Sequence, residues 1–235
     1  MEAILITVLL LLLTAVHLVA DRFPLLGVVG RDRWLSAAAG VSTVYVFTYL
    51  LPKLFHWTED TDSVDVQLLL SLVFVGLTVF FAIERIGQIT KGDESHTAIE
   101  NLNHPMFWLH MIAFGCYNFV IGYTLVSGAI IEGRIPFTVA MALHLFANDE
   151  GLRRHHRTSY HRWGRWVLAG AILGGGVGAV VTTGSSFALP VSLAILAGGI
   201  MFNAIKEELP SDEKSSLLGF VGGAVLFLVL MWILP

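Results

Sequence analysis

Eight apolar blocks follow one another along the chain, at about residues 3–20, 34–51, 66–87, 106–126, 136–152, 164–182, 186–205 and 217–234. Each is close to the ~20 residues a helix needs to cross ~30 Å of hydrocarbon. A helix also satisfies its backbone hydrogen bonds internally, which lipid demands. The pattern predicts an all-α membrane protein with eight transmembrane helices in a single polytopic domain over residues 1–235. Composition agrees: 55% of residues are hydrophobic and 14% charged, against about 25% charged in soluble domains. A net charge of −4 is no footprint for nucleic acid.

Charge gives the blocks a direction. Twelve of the 14 Lys and Arg residues fall in the odd-numbered connections: Arg22, Arg31 and Arg33; Arg85 and Lys91; Arg153, Arg154, Arg157, Arg162 and Arg165; Lys206 and Lys214. Only Lys53 and Arg134 lie on the other side, where Glu59, Asp60, Asp62 and Asp65 gather. By the positive-inside rule the odd connections are expected to be cytoplasmic and both termini outside, in a plasma (inner) membrane. No basic segment precedes the first block, only Glu2, so it is expected to remain as a span rather than to be cleaved as a signal peptide. The arginine run that includes His155, His156 and His161 reads as an anchor to anionic lipid. Local positive charge makes its His-His pair a poor cation site.

A repeat is visible within the pattern. Ala39-Gly40 precedes Leu51-Pro52 at the same spacing at which Ala197-Gly198 precedes Leu209-Pro210, and Tyr45 and Asn203 hold the same position in the two segments. The loop order makes these spans cross in opposite directions, and inverted repeats are a device of secondary transporters. Gly170, Gly174 and Gly178, and again Gly219 and Gly223, form small-residue faces that suit close helix packing within a bundle or in a homodimer. Cys116, the only cysteine, is expected to be a small apolar packing residue. The polar stretch Thr90–Asn103 reads as a mobile linker.

Polar groups at membrane depth face a cavity or another helix. The fourth block carries His110, Tyr117 and Asn118; the fifth carries His144 and Asn148 one turn apart; the second carries Tyr45 and Tyr49; the seventh carries Asn203. They suggest a polar cleft between the fourth and fifth spans, flanked by the second and seventh. Imidazole suits zinc, copper, iron and nickel, while interhelical hydrogen bonding at ~0.6–2 kcal/mol per pair explains such groups equally well. Asp149 and Glu150 are expected to lie near the inner end, where pairing with the arginine run is as good a reading as any. An intramembrane zinc hydrolase needs several histidines with an acid or base at mid-depth. His17, His110 and His144 fall in three spans with no such carboxylate, so no enzyme is expected.

With these residues in view, the chain resembles the ZIP (Zrt/Irt-like) metal transporter family in layout over nearly its whole length. Leu50-Leu51-Pro52 and Phe81-Ala82-Ile83-Glu84-Arg85 look like the ends of that family's second and third spans, and Lys206-Glu207-Glu208-Leu209-Pro210 like the end of the seventh. Tyr117-Asn118-Phe119-Val120-Ile121-Gly122 is similar to its His-Asn-x-x-Asp-Gly, and His144-Leu145-Phe146-Ala147-Asn148 to its His-Glu-x-Pro-Glu. The resemblance implies a 3+2+3 arrangement with inverted repeats and a divalent metal substrate, zinc by family default, with no resident cofactor. It implies metal contacts at His144, Asn148 and Asn118. Tyr117 would serve as a gate, and His110, Tyr45, Tyr49 and Asn203 would line the pathway. The departures are substantial: Tyr117 replaces a histidine, Ile121 and Leu145 replace acids, Asn148 replaces a glutamate and Ala147 a proline. The alternative reading is a relative of the same fold that carries no metal and acts as scaffold, regulator or subunit.

Overall fold

Every apolar block becomes a helix. A computed structural model describes residues 1–20, 30–60, 65–93, 105–130, 133–182, 188–208 and 216–234, and no strand occurs among them. The helices are α1 (Glu2–Val19), α2 (31–60), α3 (Val66–Asp93), α4 (Pro105–Val126), α5 (Arg134–His155), α6 (157–181), α7 (188–208) and α8 (Leu217–Ile233). Six of them, α1 to α4, α6 and α7, are long and apolar enough to cross a membrane, and α8 is a shorter apolar helix of 17 residues. Between them α5 carries Arg134, Asp149, Glu150, Arg153 and Arg154, yet from 133 to 152 only Ile135 is exposed. Its polar groups meet protein, where such groups are tolerated at membrane depth. The chain is a multi-pass membrane protein.

Ion pairs bring particular helix ends together. Arg134 at the start of α5 lies 2.7 Å from Glu2 at the start of α1. Arg31 at the start of α2 lies 2.9 Å from Glu150 near the end of α5. Lys206 near the end of α7 pairs with Glu84 of α3. The end holding Glu2 and Arg134 is called the termini end below, and the opposite end the basic end.

Three helix pairs are packed most closely: α2 with α8, α3 with α7, and α4 with α6. A Cβ on Gly40 would overlap the carbonyl oxygen of Phe220, and one on Gly198 that of Val73. Two backbones approach this closely only where no side chain intervenes, the arrangement that stabilises helix pairs in lipid. Gly219 and Gly223 are spent inside the chain against Arg33 and Ala37 of α2, whereas Gly170 faces open space. Most packing falls within two groups, α1, α4, α5 and α6 in one and α2, α3, α7 and α8 in the other, joined mainly where α2 meets α5. This grouping does not follow the order of the helices along the chain, since α1 and α6 pack with α4 and α5.

The two segments aligned in the sequence also share a backbone feature. Val46–Leu50 of α2 and Ala204–Glu208 of α7 are both π-helical turns, and each begins immediately after the shared polar position, Tyr45 or Asn203. Gly40 seats α2 on α8 as Gly198 seats α7 on α3. The turn in α2 lies directly before Pro52. A proline offers no N–H to the preceding turn, and widening that turn relieves the clash of its ring with the backbone. The predicted end of span 2 at residue 51 is therefore corrected: the helix runs through Pro52 to Asp60. Likewise α3 continues to Asp93, so the expected linker is helical at its start, and 94–104 lies outside the described residues.

Cys116 is exposed rather than packed in the core. It lines an apolar groove of about 300 Å³ between α3, α4 and α7 with Val79, Val120 and Ile195. At the basic end, Trp163 and Trp166 are exposed and the Arg165 guanidinium lies 5.4 Å from the Trp166 ring, an arrangement suited to the membrane interface.

Candidate functional site

Two adjacent dipeptides build the polar interior. Tyr117-Asn118 on α4 faces Asn148-Asp149 on α5, and each dipeptide supplies one residue to each of two buried clusters. Neighbouring residues on a helix point about 100° apart, so a single pair of helices serves two directions.

The first cluster is Tyr117, His144 and Asn148. The Tyr117 hydroxyl lies 2.7 Å from His144 Nε2, and Asn148 Nδ2 lies 3.0 Å from the same nitrogen. His144 and Asn148 share a face at i, i+4. The predicted pair is thus brought together with Tyr117, and His144 Nε2 is engaged by both neighbours. Asn148 Oδ1 is buried without a hydrogen-bond partner.

The second cluster joins three helices. His17 of α1 lies 2.9 Å through Nδ1 from both carboxylate oxygens of Asp149, and 2.9 Å through Nε2 from Asn118 Oδ1. Asn118 Nδ2 donates to the Phe114 carbonyl at 2.7 Å. A carbonyl only accepts, so the amide orientation is fixed and its oxygen faces His17. Nε2 must then carry hydrogen. A proton is therefore shared between Nδ1 and Asp149, either as imidazolium with carboxylate or as imidazole with carboxylic acid, and the pair is neutral overall.

Two expectations are corrected here. Asp149 pairs with His17 rather than with the arginine run, and it is fully buried. Glu150, one residue on, meets Arg31, Arg153 and Arg154. Asn118 and His144, predicted as one donor set, sit in separate clusters. His17 was missed as a contact residue; the available signal was an imidazole within an otherwise apolar first block, which needs a partner at depth.

The remaining polar residues line the approaches. At the termini end a cleft of about 500 Å³ is bordered by Thr48, Tyr49, Lys53, His56, Gly133 and Pro136. At the basic end a cleft of about 20 Å³ lies between Glu84, His110, Asn148, Asn203 and Lys206, room for roughly one water. His110 Nδ1 lies 3.0 Å from His156 Nε2. Between the clefts stands an aromatic layer. Tyr45 stacks on Tyr49 at 5.3 Å and meets Phe137 at 6.0 Å, while Tyr117 meets Phe80 at 5.5 Å and His144 at 5.6 Å. Tyr45 and Asn203 each retain a buried polar atom with no hydrogen-bond partner.

Among the described residues no group of three or more His, Cys, Asp or Glu side chains is placed to hold a metal ion. The donors near His144 are a phenol and an amide. Compared with known proteins, the chain matches no family model and no curated protein.

Proposed function

We propose that this protein is a ZIP-like secondary transporter or facilitator for a divalent metal ion, zinc by the family resemblance, in the plasma membrane with both termini outside. The observation that carries the reading is the pair of π-helical turns placed identically in α2 and α7, each following a buried polar residue. Local widening of a helix breaks its regular ladder and is frequent at functional sites. Antiparallel repeats with interrupted helices are the architecture of alternating access. The roomy cleft at the termini end and the narrow one at the basic end describe a shape open on one side. Passage runs from Tyr49 past Tyr45 and Tyr117 to His144 and Asn148, and on to His110 and Asn203. Neutral donors hold a cation weakly, which suits passage rather than capture. Asn118, held by His17, orients the wall of this route.

The test is radioactive zinc entry into proteoliposomes, with the His144→Ala, Asn148→Ala double variant alongside. Saturable uptake that the double substitution abolishes is expected. Uptake no greater than in empty liposomes, from demonstrably folded protein, removes the reading.

A second reading, a non-transporting relative that serves as scaffold, regulator or subunit, is favoured by the closed hydrogen bonding. His144 Nε2 and both nitrogens of His17 are occupied by protein groups, and Lys53 places positive charge at the mouth of the larger cleft. It predicts that apolar replacements at Tyr117 and His144 leave the cellular phenotype unchanged while replacement of Gly40 or Gly198 does not.

A further inference from the structure

The cleft at the basic end holds a second polar constellation, unlike the neutral clusters deeper in. Glu84 of α3 and Lys206 of α7 form an ion pair at its wall, with side chains 14% and 25% exposed. Asn148 of α5 and Asn203 of α7 line the same space, at 3% and 2% exposure. Asn148 Oδ1 is an acceptor with no donor, and Asn203 Nδ2 a donor with no acceptor. Buried amides are normally satisfied, and each exception calls for an explanation.

We propose that this cleft is a binding site for a monovalent metal cation, in which the Lys206 ammonium occupies the cation's place. Three features lead there. A carboxylate with amide oxygens is the donor set of hard cations, and amide groups present oxygen or nitrogen according to their flip. A volume of about 20 Å³ admits a bare ion or one water but not a hydrated ion, so the protein oxygens must replace the lost waters. Charge guides valence: among the described residues Glu84 is the only carboxylate lining the cleft, and it pairs with one ammonium, that of Lys206. Lys206 is one helical turn from Asn203 and reaches Glu84 on the facing helix, so its ammonium is a tethered competitor for any free ion. The inference concerns binding alone and stands whether or not zinc crosses the membrane.

Removing the competitor exposes the site. Purified Lys206→Met protein is melted in sodium chloride and in choline chloride at equal ionic strength, with lithium and potassium series to rank ion size. At least one metal ion is expected to raise the melting temperature above choline, at a concentration about ten-fold or more below that needed for wild type, since binding to the folded state alone stabilises it. Adding Glu84→Gln is expected to abolish the response. A variant that responds to none of the three ions beyond choline overturns the proposal, as does a response that survives Glu84→Gln. Where the methionine variant does not fold, Lys206→Gln takes its place. If neither folds, recovery of folded protein in a metal chloride but not in choline chloride supports the site, and recovery in neither overturns it.

Discussion

His17 and Asp149 are 132 positions apart in the chain, and in the structure the imidazole Nδ1 lies 2.9 Å from the carboxylate. Their exposures are 2% and 0%. The contact fastens α1 to α5, and through Asn118 it fastens α4 as well. Because Asn118 is oriented by the Phe114 carbonyl, the cluster has a single consistent hydrogen-bond pattern rather than a choice of several.

Loss of one partner should therefore be costly. His17→Ala leaves Asp149 buried and unpaired, which is expected to destabilise by about 3–5 kcal/mol. The double variant His17→Ala, Asp149→Ala removes the charge with its partner and should cost less than the sum of the two single changes. Denaturation in detergent micelles measures the cycle. Additive costs would falsify the pair as a coupled unit.

Glycines can be ranked by what surrounds them. Gly40→Val would drive a side chain into the Phe220 carbonyl of α8, and α2 must separate from α8 to admit it. Overpacking of this kind costs typically about 1–3 kcal/mol and occasionally more. Gly170→Ala meets nothing within 4 Å and should leave stability unchanged or slightly raised, since alanine favours the helix. Fluorescence-detected size-exclusion profiles before and after heating separate the two. Equal profiles would remove close backbone contact as the basis of the α2–α8 pair.

Tyr117→Phe tests the gate. The ring contacts with Phe80 and Phe114 survive, while the hydrogen bond to His144 Nε2 is lost. Net loss of one such bond is worth about 0.5–1.5 kcal/mol, so a modest fall in stability is expected. With Nε2 less occupied, zinc entry should saturate at lower concentration than in wild type. Unchanged half-saturation in a working transport assay would take Tyr117 out of the pathway.

The solitary cysteine makes sidedness measurable. In a Cys116→Ala background, Lys53→Cys should react with a membrane-impermeant maleimide added outside intact cells, and Arg157→Cys only after permeabilisation. The reverse pattern would invert the proposed orientation. In wild type, exposed Cys116 in its apolar groove should react with a lipid-soluble maleimide and resist a charged one.

The pattern of apolar blocks determined by itself that eight helices form and roughly where, because each must be long enough for lipid and satisfy its own backbone. It also placed Tyr45 and Asn203 at matching positions in two segments, and a π turn follows each of them in the backbone. The helix ends at Asp60 and Asp93 were not legible, since propensity does not show that a widened turn can carry a helix past Pro52. The partners of the polar residues were decided by tertiary structure alone. Periodicity places Asn148 and Asp149 side by side on α5 but does not say which neighbour each meets. Only the packing of α1 against α5 turns Asp149 from the arginines toward His17, and leaves Glu150 to take them. Spacing along a helix fixes direction, while the partner at the end of that direction belongs to another part of the chain.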